Sequence, residues 1–242
     1  MPRWSYYVAI LIFLCARFDR VSAVAFTAPR FILPLLCTEN PAARTKVRGT
    51  GVVLDVRGTI VTAAHVVVET HPMCVLTALV PNDDWSRALS FHAFSVGDCS
   101  VDASLDVALC RLRPIENSGD WSYLRAAAME MKTPSPNSTV NIAGFTGWGM
   151  APTMVSGHIV PPAQIYRRQD GCYCNFAVDV TSHAGMSGSP ILTIDGKVAG
   201  VVTTAGTGKF RGITFGTTLE RAGAFLHEAG LASVASHTTG HH

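Results

Sequence analysis

The sequence carries little charge. Only 15% of its 242 residues are Asp, Glu, Lys or Arg, against 48% hydrophobic residues, and the formal net charge is +2. Such a composition is not that of a disordered chain, and it leaves enough apolar residues to bury a substantial core. No cluster of Lys and Arg offers an electrostatic footprint for nucleic acid or for an anionic membrane, so neither partner is expected. Long apolar runs are also missing: none reaches the about 20 residues that a spanning helix needs. The N-terminal run Tyr6 to Cys15 is shorter, follows Arg3, and leads to the small-residue pattern Val21-Ser22-Ala23. This is the layout of a secretory signal peptide over residues 1–23. It implies an exported protein, secreted or periplasmic, with no stable membrane association after cleavage. The charged stretch at residues 16–20 keeps an uncleaved anchor as the alternative.

Metal-ligand spacings are absent. Of seven cysteines, Cys15 lies in the signal, which leaves Cys37, Cys74, Cys99, Cys110, Cys172 and Cys174. An even number in an exported chain suits disulfides, although spacing does not fix their connectivity. Cys172-Tyr173-Cys174 is too tight for a zinc knuckle, and no second pair has ligand spacing. His237, His241 and His242 fall in a C-terminal tail, 237–242, and read as solvated residues. No metal and no cofactor is expected. Asn137-Ser138-Thr139 is an acceptor sequon, meaningful only in a glycosylating host.

Long helical periodicity is lacking until the C-terminus, and no internal repeat is visible. Short β-type runs punctuated by Gly, Pro and Asp fill the rest, which predicts an all-β chain. Thr50–Leu54 and Thr59–Thr62 flank Asp55-Val56-Arg57-Gly58 as a hairpin, and Ile191–Ile194 and Val198–Thr203 flank Asp195-Gly196 as another. Further strands are expected at Cys74–Leu79, Val107–Leu112, Val140–Phe145, Val155–Val160 and Phe176–Val180. A polar, proline-bounded connection at about 114–138 divides one group of strands (about 45–113) from a second (about 139–216). Each group is about one small barrel in size. Thr217-Thr218-Leu219-Glu220 has capping-box spacing, and Leu219, Ala222, Leu226 and Ala229 form one face of a terminal helix over 217–230, closed by Gly230. The globular unit is expected to span 24–236.

Three short patterns could carry chemistry. Thr62-Ala63-Ala64-His65 follows a strand, and its small residues let an imidazole emerge from a rigid platform. Asp106 stands at the mouth of an apolar strand, where a carboxylate is costly unless it is hydrogen-bonded, as by an imidazole N–H. Asp98 and Asp102 are nearby competitors that lead into no such strand. Gly185-Met186-Ser187-Gly188-Ser189-Pro190 holds a hydroxyl at a tight turn before a strand. Acyl transfer needs that hydroxyl beside backbone N–H groups aimed at a developing oxyanion; those of Gly185 and Ser187 are the candidates. Gly185 permits the backbone conformation, and Gly188 is expected to let substrate backbone approach. Each pattern alone has an ordinary structural reading. Together they run His, Asp, Ser, an order that differs from those of subtilisins and α/β-hydrolases, and the Gly-x-Ser-x-Gly elbow of the latter is broken by Ser189.

On these stretches the chain resembles the trypsin-like peptidase superfamily, and within it HtrA/Deg-type protease domains. Residues 49–67 are similar to the histidine segment, Asp106-Val-Ala-Leu109 to the aspartate segment, residues 179–203 to the serine segment, and residues 144–160 to the loop and strand before it. The likeness covers about residue 45 to the terminal helix. It implies two perpendicular six-stranded antiparallel β-barrels with a C-terminal helix, a catalytic set of His65, Asp106 and Ser187 in the cleft between them, an oxyanion hole at Gly185 and Ser187, and polypeptide substrates whose backbone pairs with Thr203, Thr204 and Ala205. By the same match Thr181, Ser182 and the segments 203–206 and 212–215 would line the primary pocket. None of them is acidic, so small or medium neutral side chains are expected there rather than Lys or Arg. His183 could reach this region and is assigned a structural role. Met186 stands where digestive-type relatives have an acid that pairs with a newly cut N-terminus, so that activation switch is not expected, and neither is a PDZ module. The function implied is that of a secreted serine endopeptidase acting through an acyl-enzyme. A catalytically silent peptide-binding module on the same scaffold and an esterase are the alternatives.

Overall fold

A computed structural model describes residues 28–38, 46–69, 74–85, 90–115, 121–147, 150–161, 166–167 and 173–231. The expected signal peptide, the tail at 237–242 and Cys172 lie outside them.

Six antiparallel strands close the first barrel: β1 (Ile32–Thr38), β2 (Lys46–Val53), β3 (Thr59–Thr62), β4 (Val75–Pro81), β5 (Phe91–Asp102) and β6 (Val107–Pro114), in the order β1-β2-β3-β6-β5-β4. The barrel thus begins at Ile32 and takes in a strand upstream of the expected start near residue 45. Closure leaves no open sheet edge. The β2–β3 hairpin forms where the Asp-Val-Arg-Gly turn predicts. Gly58 adopts φ 84°, and the Asp55 carboxylate accepts from the amides of Arg57 (2.8 Å) and Thr59 (3.1 Å) and from the Thr59 hydroxyl (2.6 Å). Two disulfides tie the barrel, Cys37–Cys74 from β1 to the approach of β4, and Cys99–Cys110 between β5 and β6.

The second group is a six-stranded sheet: β7 (Thr139–Phe145), β8 (Pro152–His158), β11 (Phe176–Val178), β12 (Pro190–Leu192), β13 (Val198–Ala205) and β14 (Thr214–Thr218), ordered β11-β14-β13-β12-β7-β8. A pair of two-residue strands, β9 (Tyr166–Arg167) and β10 (Tyr173–Cys174), stands apart. The outer strands of the sheet curl together and meet at an Ile159–Val178 bridge, extended by the Val160 amide to the Ala177 carbonyl (2.9 Å). Pro161 follows and has no amide with which to lengthen the ladder. The second barrel is therefore joined over a much shorter seam than the first.

Side chains alternate between two cores because successive strand residues face opposite sides. On β12, Ile191 points into the second barrel with Val140, Ile142, Phe176, Val178 and Val202, while Leu192 joins the first core and its extension under the terminal helix. That helix, α2 (Leu219–Glu228), is shorter at its start than the capping-box spacing implies. Thr217 still belongs to β14, and Thr218 is the N-cap, its hydroxyl accepting from the Arg221 amide at 3.2 Å. Glu220 reaches instead to the Thr133 amide (2.8 Å). Gly230 ends the helix with φ 91° as expected.

Candidate active site

The histidine platform is built by local chain chemistry. β3 ends at Thr62, Ala63 is extended (φ −73°, ψ 140°), and a single helical turn, α1 (Ala64–Val68), follows. Small residues suit this corner, since Ala63 and Ala64 are buried. The opening of α1 is capped from outside by Asp106: its carbonyl accepts the Ala64 amide (3.1 Å) and its carboxylate the His65 amide (2.9 Å). The same carboxylate faces the imidazole, with Nδ1 at 2.9 Å from Oδ2 and 3.1 Å from Oδ1. Asp106 is 4% exposed, so its charge is held by hydrogen bonds rather than by water. It adopts φ 52°, a left-handed conformation that aspartate tolerates better than most residues. The β5–β6 turn that imposes it is fastened by the Thr217 hydroxyl, which donates to the Leu105 carbonyl at 2.6 Å. The two competing acids are engaged elsewhere. Asp98 pairs with Arg113, and Asp102 accepts from the amides of Ser104 (2.9 Å) and Leu105 (3.1 Å) within the turn.

His65 and Ser187 line one cleft of about 190 Å³, together with Ser182, His183, Ala184, Val202, Thr203, Thr204 and Ala205. Of the residues expected to contact substrate, this brings together Ser182, Thr203, Thr204 and Ala205. Thr181 is exposed, and neither it nor the segment 212–215 is among the lining residues. There the Thr214 hydroxyl is spent on the Val180 carbonyl (2.6 Å), and Phe215 packs edge-on against Phe210. His183 is among the lining residues, and its carbonyl accepts the Met186 amide at 3.0 Å.

The loop that carries Ser187 can be accounted for group by group. The Ala184 carbonyl accepts from the Gly147 amide (2.8 Å), Gly185 from the Thr50 hydroxyl (3.1 Å), Met186 from the Ser189 amide (3.0 Å) and Ser187 from the Thr50 amide (2.8 Å). The Gly188 amide donates to the Val202 carbonyl at 2.7 Å. Within 185–189 the amides of Gly185 and Ser187 alone donate to no acceptor among the described residues. In a trans peptide C=O and N–H point in opposite directions, so anchoring the Ala184 carbonyl on Gly147 turns the Gly185 N–H the other way. Gly185 has φ 93°, and a Cβ there would come within 2.8 Å of the Gly147 nitrogen and the Phe145 oxygen. No other residue fits.

One sequence expectation about this loop changes. Gly188 (φ 81°) does not open space for substrate; a Cβ would lie 2.2 Å from the Thr50 carbonyl and from the Thr62 hydroxyl, so the glycine lets the loop press against β2 and β3. Met186 is fully buried with Val140, Ile142, Ile159, Phe176 and Ile191. It holds the loop by apolar packing where an acid would need an ionic partner. Thr50 and Gly147, whose bonds orient the loop, carry no mark of that role in the sequence, because each acts on a loop distant from it along the chain.

Comparison with known proteins agrees with this architecture. Residues 49–201 match the trypsin-like peptidase domain family. No curated protein sequence matches the chain. Among solved structures, the Rv3671c protease of M. tuberculosis in its active form superposes with a TM-score of 0.62 at 19% identity, covering 83% of this chain and 81% of that one. The MamO protease domain of Magnetospirillum magneticum gives 0.61 at 15% identity, over 84% and 97% of the two chains. A serine endoprotease of Yersinia pestis gives 0.60 at 17% identity, over 84% of this chain and 64% of that one. At such identities the structural likeness speaks for the fold, and the sequence match over more than half the chain speaks for descent: the protein belongs to the trypsin-like peptidase family.

Proposed function

We propose that the protein is an exported serine endopeptidase in which Ser187 is the nucleophile, His65 the general base and Asp106 the group that orients the imidazole. The observation that carries this reading is the His65–Asp106 pair, sharing a cleft with Ser187 beside two amides that have no acceptor among the described residues. With Nδ1 engaged by the carboxylate, Nε2 is the nitrogen left to take the Ser187 proton as Oγ bonds to the substrate carbonyl carbon. The oxyanion that forms would accept from the amides of Gly185 and Ser187. His65 then returns the proton to the leaving amine, and water, deprotonated by the same imidazole, releases the acyl group. Asp106 stabilises the imidazolium in both halves.

Substrate would lie along β13. Its pairing with β12 ends at Val201, and Thr204 and Ala205 line the cleft beyond. An extended peptide can add to such an edge by backbone hydrogen bonds. The side chain preceding the scissile bond would meet Ser182, Thr203 and Ala205, an uncharged lining that favours small or medium neutral residues. Export is supported by the two disulfides and by the N-terminal pattern of residues 1–23. The purified protein is expected to degrade denatured casein and to lose that activity in Ser187→Ala. Casein bound but left intact by the wild type would favour a silent binding module, and cleavage of ester but not amide substrates would favour an esterase.

A further inference from the structure

Thr50 belongs to a strand of the first barrel, yet four of its hydrogen bonds serve the active-site corner. Its amide donates to the Ser187 carbonyl (2.8 Å), its carbonyl accepts from the Thr62 hydroxyl (2.8 Å), and its hydroxyl donates to the Gly185 carbonyl (3.1 Å) while accepting from the Phe145 amide (3.1 Å). The residue is 0% exposed, so water does not compete for these groups. A hydroxyl has a single proton. Because the Phe145 amide can only donate, that proton is directed at Gly185. Space for the arrangement is reserved from the facing strand: a Cβ on Gly144 would come 3.0 Å from the Thr50 hydroxyl oxygen and 1.8 Å from that of Ser189.

The Gly185 carbonyl belongs to the peptide after Gly185, and the Ala184 carbonyl, held by Gly147, to the peptide before it. Gly185 has φ 93° and, lacking a Cβ, no steric preference of its own for that state. The peptides on its two sides must therefore be fixed by partners if its amide is to keep one direction. We propose that Thr50 is a positioning residue for the oxyanion donors, its hydroxyl locking the Gly185–Met186 peptide so that the Gly185 amide faces the cleft before substrate arrives. This rests on the peptidase reading above. Thr50 touches no substrate, so its loss lowers kcat and leaves KM nearly unchanged. Deleting an oxyanion donor costs about 10²–10³ in kcat; a donor retained but loosely held costs less, about tenfold.

Thr50→Val keeps the shape and removes the hydroxyl, whereas Thr50→Ser keeps the hydroxyl. Steady-state kinetics on a chromogenic peptide are expected to show kcat about tenfold lower in Thr50→Val, KM within about twofold of wild type, and kcat restored in Thr50→Ser. If Thr50→Val fails to fold by circular dichroism, Thr50→Ala against Thr50→Ser isolates the hydroxyl at nearly equal size. The ¹⁵N–¹H resonance of the Gly185 amide supplies a readout independent of turnover, expected to move in Thr50→Val and to stay near its wild-type position in Thr50→Ser. Wild-type kcat in a folded Thr50→Val, or an equal drop in both variants, would overturn the proposal. Should the wild type itself neither cleave peptides nor label at Ser187, the peptidase reading fails, and an unmoved Gly185 resonance would overturn the positioning role separately.

Discussion

Met186 sits beside the proposed nucleophile, and its side chain has no polar task. Replacing it therefore separates packing from chemistry. Its side chain is wholly buried among Val140, Ile142, Ile159, Phe176, Val178, Ile191 and Val202, in the core of the second barrel. Burying a side chain of this size is worth about 1.5–3 kcal/mol. Truncation also leaves a cavity that the surrounding strands close only in part, so Met186→Ala is expected to cost about 2–5 kcal/mol. Met186→Leu nearly conserves volume and should cost less than about 1.5 kcal/mol. Because the residue lies between the amides of Gly185 and Ser187, its loss should also loosen them: kcat is expected to fall by about tenfold or more in Met186→Ala and by less than about threefold in Met186→Leu. Guanidinium denaturation followed by tryptophan fluorescence gives the stabilities, and peptide turnover under native conditions gives kcat. Met186→Ala with wild-type stability would refute the apolar anchor. A large stability loss with unchanged kcat would show that the anchor does not orient the loop.

Other expectations follow from particular bonds. Asp106→Asn should preserve the fold and lower kcat by about 10⁴, because an amide stabilises neither the required tautomer nor the imidazolium; rates within tenfold of wild type would remove Asp106 from the catalytic set. Burial pushes the Asp55 carboxyl up, but the Thr59 hydroxyl, the amides of Thr59 and Arg57 and the charge of Arg57 outweigh it and hold its pKa below the ordinary carboxylate value. A lowered folded-state pKa stabilises the protein above the unfolded value of about 3.9 and is lost as pH falls through the folded one; the acid limb of the stability profile should be shallower in Asp55→Asn, and an identical limb would contradict the role of the turn. Cys37–Cys74 closes a loop of sequence separation 37, so replacing both cysteines by serine should cost about 2–4 kcal/mol in thermal or denaturant unfolding; unchanged unfolding would show that the bridge adds nothing to stability.

Much of the fold is legible where local chemistry and tertiary pairing coincide. Thr59–Thr62 is a strand in the sequence and in the structure, because a glycine turn and β-branched residues both specify it. Ile32–Thr38 and Phe91–Asp102 carry no clear strand signal: one is a short apolar run interrupted by Pro34, the other mixes Ser, Gly and Asp and includes a bulge between Gly97 and Ser100 that breaks the alternation. Each is a strand because the barrel needs a partner at that position. Tertiary context also moved the helix start, since β14 claims Thr217 before α2 can. At the candidate site, His65, Asp106 and Ser187 are legible because each sits in a constrained local pattern. The groups that orient them are not. Thr50 acts across 135 residues of sequence on the Gly185 carbonyl, and no spacing rule reaches that far. At Gly188 the motif shows only that a glycine is required, whereas the atoms a Cβ there would strike belong to β2 and β3 and give the reason.

The central claim is that Ser187 is a nucleophile activated by His65. Incubating the purified protein with a fluorophosphonate, followed by intact-mass and peptide-mapping mass spectrometry, tests it directly. One adduct at Ser187 is expected, absent from Ser187→Ala and slowed by several orders of magnitude in His65→Ala. No adduct on the folded wild-type protein, or an adduct at another residue that persists in Ser187→Ala, would contradict it.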